Sequence, residues 1–313
     1  MTDAARPVRP RHAATPIPDP VVPPAPSTID LHAHSTRSDG VLEPAALLDV
    51  VVTAGVHLFA LSDHDTLAGY RDLIAGDAVP PGLELIPGIE INAVVLGRSD
   101  LWESELHILG FGMDAADEPF EAVLASQRAR RRDRFTLTVT RLRELGLPID
   151  AQVAHLDLGA DDALGRPTLA RALVAAGYAH SVEDAFTRLI GRGCPAYIPR
   201  VGLGPAEAIA AIRAAGGMAS LAHFREAVTR PDVVRDLVAE GLAGLEVHYR
   251  SFDRPTTEAM AGVARELGLL ATGGTDYHGD TGSYAESHAG LWVPPEVGAV
   301  LRGRLAWSSD PAD

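Results

Sequence analysis

Short apolar runs, each closed by polar or charged side chains, recur along this chain, and helical patterns separate most of them. The runs are Ile29–Leu31, His57–Leu61, Leu83–Asn92, Glu105–Phe111, Met218–Ala222, Gly244–His248 and Leu269–Ala271. Near-continuous apolar runs suit strands covered on both faces. Helical patterns lie between them. Ala45–Ala54 opens behind Pro44 and stops at Gly55; Leu67–Ile74, Pro205–Ala215, Pro231–Glu240 and Arg254–Leu267 follow. Strand–helix alternation of this kind predicts an α/β fold built on a parallel barrel, with Leu291–Val293 as a last edge strand. Residues 114–200 break the rhythm. A long helix is expected from Asp117 or Glu118 to Leu145, ending at Gly146, and a second behind Pro167. Ser181-Val-Glu-Asp184 resembles a capping box for a third. The barrel is therefore expected over 28–113 and 201–295, with 114–200 as a helical insertion capping it. Residues 1–27, rich in Pro, Ala and Arg, are expected to be a disordered leader, and 296–313 a C-terminal tail, frayed from Ser308.

The 313 residues suffice for one large domain with an insertion. At 46% apolar content, no run approaches the about 18 residues that span a bilayer, and the N-terminus lacks an apolar signal core. The lone Cys194 excludes a disulfide framework and a cysteine-rich zinc site. A cytoplasmic protein is the expectation. A formal charge of −15 argues against a grip on long duplex nucleic acid but allows a small anionic substrate met by local arginines. There is no lysine, which removes Schiff-base and phosphate-loop lysine chemistry.

Chemistry concentrates at the strand ends. His32 and His34 are two apart on a strand, so both imidazoles enter one cavity, and Asp39 follows in a Ser-Asp-Gly turn that can return a carboxylate to them. His64 lies between Asp63 and Asp65, acids suited to capping a helix or orienting a histidine. Glu90 sits between Ile89 and Ile91, a costly place for a carboxylate without a cation. His107, His223, Asp276 and His278 complete the set. In a barrel these ends share one mouth. Nine such ligands exceed one ion and suit three, with Glu90 shared. Mixed imidazole and carboxylate ligation suits manganese, iron or zinc. In the insertion, Arg128, Arg131 and Arg132 share a helix face and could meet one anion, and Arg166 stands beside a helix N-terminus, a natural phosphate site.

Six motifs taken together resemble the PHP (polymerase and histidinol phosphatase) family, in particular the stand-alone phosphoesterases acting on nucleoside 3′,5′-bisphosphates and short oligonucleotides. They are Asp30-Leu-His-Ala-His-Ser-Thr-Arg-Ser-Asp-Gly40, Leu61-Ser-Asp-His-Asp-Thr66, Pro87-Gly-Ile-Glu-Ile-Asn92, His107, Leu221-Ala-His223 and Gly273-Gly-Thr-Asp-Tyr-His-Gly279. Gly165-Arg-Pro-Thr-Leu-Ala-Arg171 in the insertion also matches. The resemblance spans residues 29–280 and implies a distorted (β/α)7 barrel with a trinuclear site. By position, His32, His34, Glu90 and Asp276 would hold one ion. Asp39, His64 and His278 would hold a second, and Glu90, His107 and His223 a third. Phe224 stands where Pro is usual and Thr168 where His is common. The implied reaction is hydrolysis by metal-activated hydroxide, with Asp65 or His223 assisting the leaving group and Arg134, Arg166 and Arg131 binding a second phosphate. A histidinol-phosphate phosphatase is the competing enzyme, and a non-catalytic metal-binding accessory module the competing class.

Overall fold

The computed structural model describes residues 26–95, 105–154, 156, 164–279 and 282–305. The expected leader up to residue 25 and the tail beyond 305 lie outside the described residues. One sheet runs in chain order through β1 (Ile29–Ala33), β2 (Leu58–Leu61), β3 (Glu84–Val94), β4 (Glu105–Phe111), β5 (Met218–Leu221), β6 (Gly244–Tyr249) and β7 (Leu270–Gly274). It curls until its edges meet just past β7, where the His34 amide donates to the Tyr277 carbonyl at 2.9 Å and Ala33 bridges Tyr277. Helices α1 (Pro44–Thr53) and α2 (Ala68–Ala75) separate the first strands. The result is a seven-stranded α/β barrel, nearly closed.

The barrel is not fully parallel. β4 runs antiparallel to both β3 and β5, with Val94 opposite Glu105 at the start of the hairpin. Segment 95–104 is too short for the crossover of a dozen or more residues that parallel pairing requires. β4 is therefore reversed, and His107 reaches the mouth from the beginning of a strand, paired with Asn92 near the end of β3. Two further expectations need correction. Leu291–Val293 forms no strand; Leu291 and Val293 are buried in irregular backbone. Glu296–Leu305, expected as tail, is helical and buries Val297 and Leu301 against Ile29, Leu58 and Leu270.

Between β4 and β5 the chain enters the helical block. It comprises α3 (Glu118–Glu144), α4 (Asp150–Val153), α5 (Arg166–Ala175) and α6 (Val182–Ala185), then a π-helical turn at Phe186–Ile190. Asp117 caps α3 by accepting from the Phe120 amide, and Glu118 and Glu121 face its positive end. Leu142, Ile149, Leu169, Leu173, Ala185 and Ile190 form an apolar core separate from those of the barrel. The barrel resumes with α7 (Pro205–Ala214), α8 (Pro231–Ala239), α9 (Arg254–Glu266), α10 (Tyr284–Ala289) and α11 (Glu296–Leu305). Among the described residues, no helix is long and apolar enough to cross a membrane.

The seam is held by one buried carboxylate. Asp30 accepts from the Thr275 amide at 2.9 Å, Thr275 Oγ1 at 2.8 Å, Tyr284 Oη at 2.7 Å and the His32 amide at 3.1 Å. Asp30→Ala strands these buried donors and should lower unfolding free energy by about 3 kcal/mol or more, measured by urea denaturation. A loss below about 1 kcal/mol would refute this account of the seam.

Candidate active site

The residues that close the strands turn sharply. Asp65, His223 and Asp276 all have positive φ, at 52°, 28° and 48°, a conformation that costs a non-glycine residue energy and collects at functional sites. β7 also passes very close to β1: a Cβ at Gly274 would lie 2.4 Å from the His32 Cβ and amide nitrogen. Only glycine lets the strand bearing Asp276 approach the strand bearing His32 and His34 so closely.

All nine strand-end residues converge. His32 Nε2 and His34 Nε2 lie 3.4 and 3.3 Å from Glu90 Oε2, and each lies 3.3 Å from Asp276 Oδ1. Around Asp39 stand His278 Nε2 at 3.3 Å, His64 Nε2 at 3.6 Å and His34 Nδ1 at 4.0 Å. Glu90 Oε1 takes His107 Nδ1 at 2.8 Å and His223 Nε2 at 3.2 Å. Within each of these three clusters the ligand atoms lie within 4.8 Å of one another. His34 reaches two clusters and Glu90 two, so the three are fused.

The donor set fits divalent metal. Ligands about 2.0–2.2 Å from an ion lie roughly 3.0–3.5 Å apart, the spacing found here. His32 Nε2, both ring nitrogens of His34, Asp39 Oδ1 and His64 Nδ1 are buried and lack hydrogen-bond partners, which a protein interior tolerates poorly without another ligand. The charges agree. Burial pushes the Glu90 carboxyl up, but His107, His64 and His32 outweigh it and hold it well below the usual range. Asp39 and Asp276 are held down in the same way by His64, His278 and His32. Burial pushes His278 down, yet Asp39 and Asp276 lift it to about 10. Three carboxylates thus demand cations here.

A cavity of about 410 Å³ opens over the clusters, and His223, Asp276 and His278 line it. Its cap side carries Arg131, Arg166 and Arg200, with the rings of Phe186 and Phe224 on the wall. Arg134 is not among the lining residues. It lies behind the wall, where Arg200 Nε, Arg134 Nη1 and Arg166 Nη2 surround Glu105 at 3.1, 3.7 and 3.8 Å. Burial and the nearby Arg166 and Arg200 lower Arg134 to about 9. Burial pushes Glu105 up, but Arg200, Arg166 and Arg134 bring it to about 2. Arg131 is held by Asp65 and Asn92. Asp65 is fully buried, does not line the cavity and turns its carboxylate to Arg131. The cap also touches a ligand loop: Arg171 Nη2 donates to the Asp39 carbonyl at 2.9 Å, and a Cβ at Gly165 would lie 2.6 Å from Asp39 Oδ2.

Sequence reasoning missed four contributors: Glu105, Arg200, Tyr249 and Glu246. Tyr249 Oη donates to Asp276 Oδ2 at 2.9 Å. Glu246 is fully buried between Leu245 and Val247, the same signal that singled out Glu90. Glu105 and Arg200 carry no local signal, since their meeting depends on the path of the insertion.

No protein-family model matches the chain. A 5′-3′ exoribonuclease of Haemophilus influenzae is 35% identical over 254 residues, 80% of this chain and 89% of that protein. A 3′,5′-nucleoside bisphosphate phosphatase of Chromobacterium violaceum is 31% identical over 265 residues, 80% and 87% of the two. The crystal structure of a candidate metal-dependent phosphoesterase from Bifidobacterium adolescentis superposes with a TM-score of 0.75 at 31% identity, covering 90% of this chain and 98% of that one.

Two outcomes are expected. Glu90→Gln should lose most bound divalent metal, read by inductively coupled plasma mass spectrometry on protein with unchanged circular dichroism; full retention would refute the fused-cluster reading. In metal-free protein, the Glu105 cage stabilises above the ordinary carboxyl value of 4.5, and that contribution is lost as pH falls toward about 2. The stability gap between wild type and Glu105→Gln should therefore shrink on acidification in denaturant melts. A gap independent of pH would contradict it.

Proposed function

The chain belongs to the PHP family of metal-dependent phosphoesterases, and on that premise we propose that it removes the 3′-phosphate from nucleoside 3′,5′-bisphosphates. Short oligonucleotides cut from the 5′ end would be handled by the same chemistry. The observation carrying this reading is the placement of three fused ligand clusters on the floor of one cavity, under a wall of guanidinium groups and aromatic rings. A phosphate needs cations, and a nucleoside needs flat apolar surface. A cavity of about 410 Å³ falls in the range of small-molecule sites.

Three divalent ions, of manganese, iron or zinc, would be held by His32, His34, Glu90 and Asp276; by Asp39, His64 and His278; and by Glu90, His107 and His223. Bound there, they would supply a water of lowered pKa and polarise phosphoryl oxygens. The chain's own residues do the rest. Glu90 sets the spacing of the clusters through its two oxygens. Arg166 and Arg200 face the cavity and bind the phosphate that is not cleaved, while Arg134 supports them through Glu105. Arg131 also faces the cavity, but Asp65 fixes its guanidinium, so Asp65 acts here as a positioning residue. His223 lines the cavity as a ligand of the third cluster. Phe186 and Phe224 offer faces to a base.

Adenosine 3′,5′-bisphosphate with Mn²⁺ should give AMP and phosphate, followed by chromatography. No turnover beside robust hydrolysis of histidinol phosphate would overturn the choice of substrate. Arg200→Ala should raise KM for the bisphosphate roughly tenfold or more, the value of a lost charge-assisted bond, and change KM for a monophosphate far less. Equal effects on both would remove Arg200 from the second phosphate.

A further inference from the structure

We infer that Glu246 is a positioning residue shared by two of the ligand clusters, setting the tautomer of His32 and the backbone of His223. The inference rests on the metal-binding reading above. Glu246 lies on β6, fully buried. Its two oxygens are divided between two tasks. Oε1 sits 3.0 Å from His32 Nδ1, and Oε2 accepts the His223 amide at 2.7 Å. His32 belongs to the cluster with His34 and Asp276, and His223 to the cluster with His107.

Each bond has a distinct consequence. A carboxylate accepts only, so His32 must present a proton on Nδ1. With a metal ion in place, that would leave the Nε2 lone pair for the ion, on the side where Glu90 and Asp276 lie at 3.4 and 3.3 Å. An imidazole so oriented is also a more basic ligand. At His223, φ is 28°, a strained value for a side chain with a Cβ. A charge-assisted bond to its amide offsets that strain and keeps Nε2 3.2 Å from Glu90 Oε1. The pairing of β6 with β7 slips just after Glu246, between Glu246 and His248, and resumes with His248 opposite Gly273 beside the site. The cluster of Asp39, His64 and His278 receives no contact from Glu246 and is an internal control.

Glu246→Gln is the discriminating variant because it keeps shape and volume. One amide oxygen cannot serve both partners. If it accepts from His223, the amide NH₂ faces His32 Nδ1, reverses the tautomer and blocks Nε2. If it accepts from His32, the His223 amide meets a donor. Either way one of the two clusters loses its geometry. With Mn²⁺ titrated into both proteins, Glu246→Gln should weaken at least one binding step about 10–100-fold, while one step stays at the wild-type value and the melting curve of the metal-free protein stays cooperative. In wild-type protein loaded with diamagnetic Zn²⁺, long-range ¹⁵N–¹H spectra should show His32 protonated at Nδ1, a signature that a merely structural carboxylate would not require. Unchanged Mn²⁺ stoichiometry and affinity in Glu246→Gln, or a His32 protonated at Nε2 in the Zn²⁺-loaded wild type, would overturn the inference. Failure of the wild type itself to bind Mn²⁺ would instead overturn the metal-binding reading, and this inference with it.

Discussion

A carboxylate inside a barrel is tolerated only where positive charge surrounds it, and Glu90 sets that condition for the whole molecule. It is 1% exposed, between two isoleucines that are fully buried. Imidazoles from four other segments converge on it. Asp39 and Asp276 sit close by, and in a medium of low polarizability such charges repel strongly without cations between them. The fold answers with a frame of fixed hydrogen bonds. Asp63 gathers the Ser35 amide and the hydroxyls of Ser35 and Ser38, which shapes the loop that returns Asp39. Asp30 stitches the seam on which Asp276 arrives. Strain collects where the strands end, at Asp65, His223 and Asp276, and this frame sustains it.

The arginine wall follows the same logic with the signs reversed. Three guanidinium groups crowd around Glu105, leaving an excess of positive charge beside a cavity whose floor is rich in carboxylates. One internal anion keeps them assembled. A site organised in advance spends little on rearrangement when an anionic ligand arrives. Tyr197 lies 5.8 Å from the Arg134 guanidinium and Phe186 5.5 Å from that of Arg166, so aromatic rings help hold two of the three in place.

The sequence disclosed what local pattern encodes. His32 and His34 were legible because a strand repeats every two residues and they end an apolar run. Glu90 was legible because a charge between isoleucines is expensive. Strand direction was less visible, since β4 has the same apolar pattern whether it runs up or down; the short segment 95–104 was the available clue to its reversal. Leu291 and Val293 are apolar because they are buried, and burial alone does not make a strand. Glu246 had the same signature as Glu90 but lies outside the motifs that resemble the family. Asp65 and Arg131 illustrate a deeper limit. Each had a plausible chemical task by itself, and only the path of α3 across the mouth joins them as a pair.

The contact between the insertion and Asp39 bears on how such a molecule can be altered over generations. Gly165 leaves no room for a side chain against the Asp39 carboxylate, and Arg171 holds the carbonyl of the same residue. The cap therefore forms part of the wall that keeps a ligand loop in place. Shortening or exchanging it would disturb the barrel's own chemistry. Cap and barrel, although each has its own apolar core, are bound to descend together.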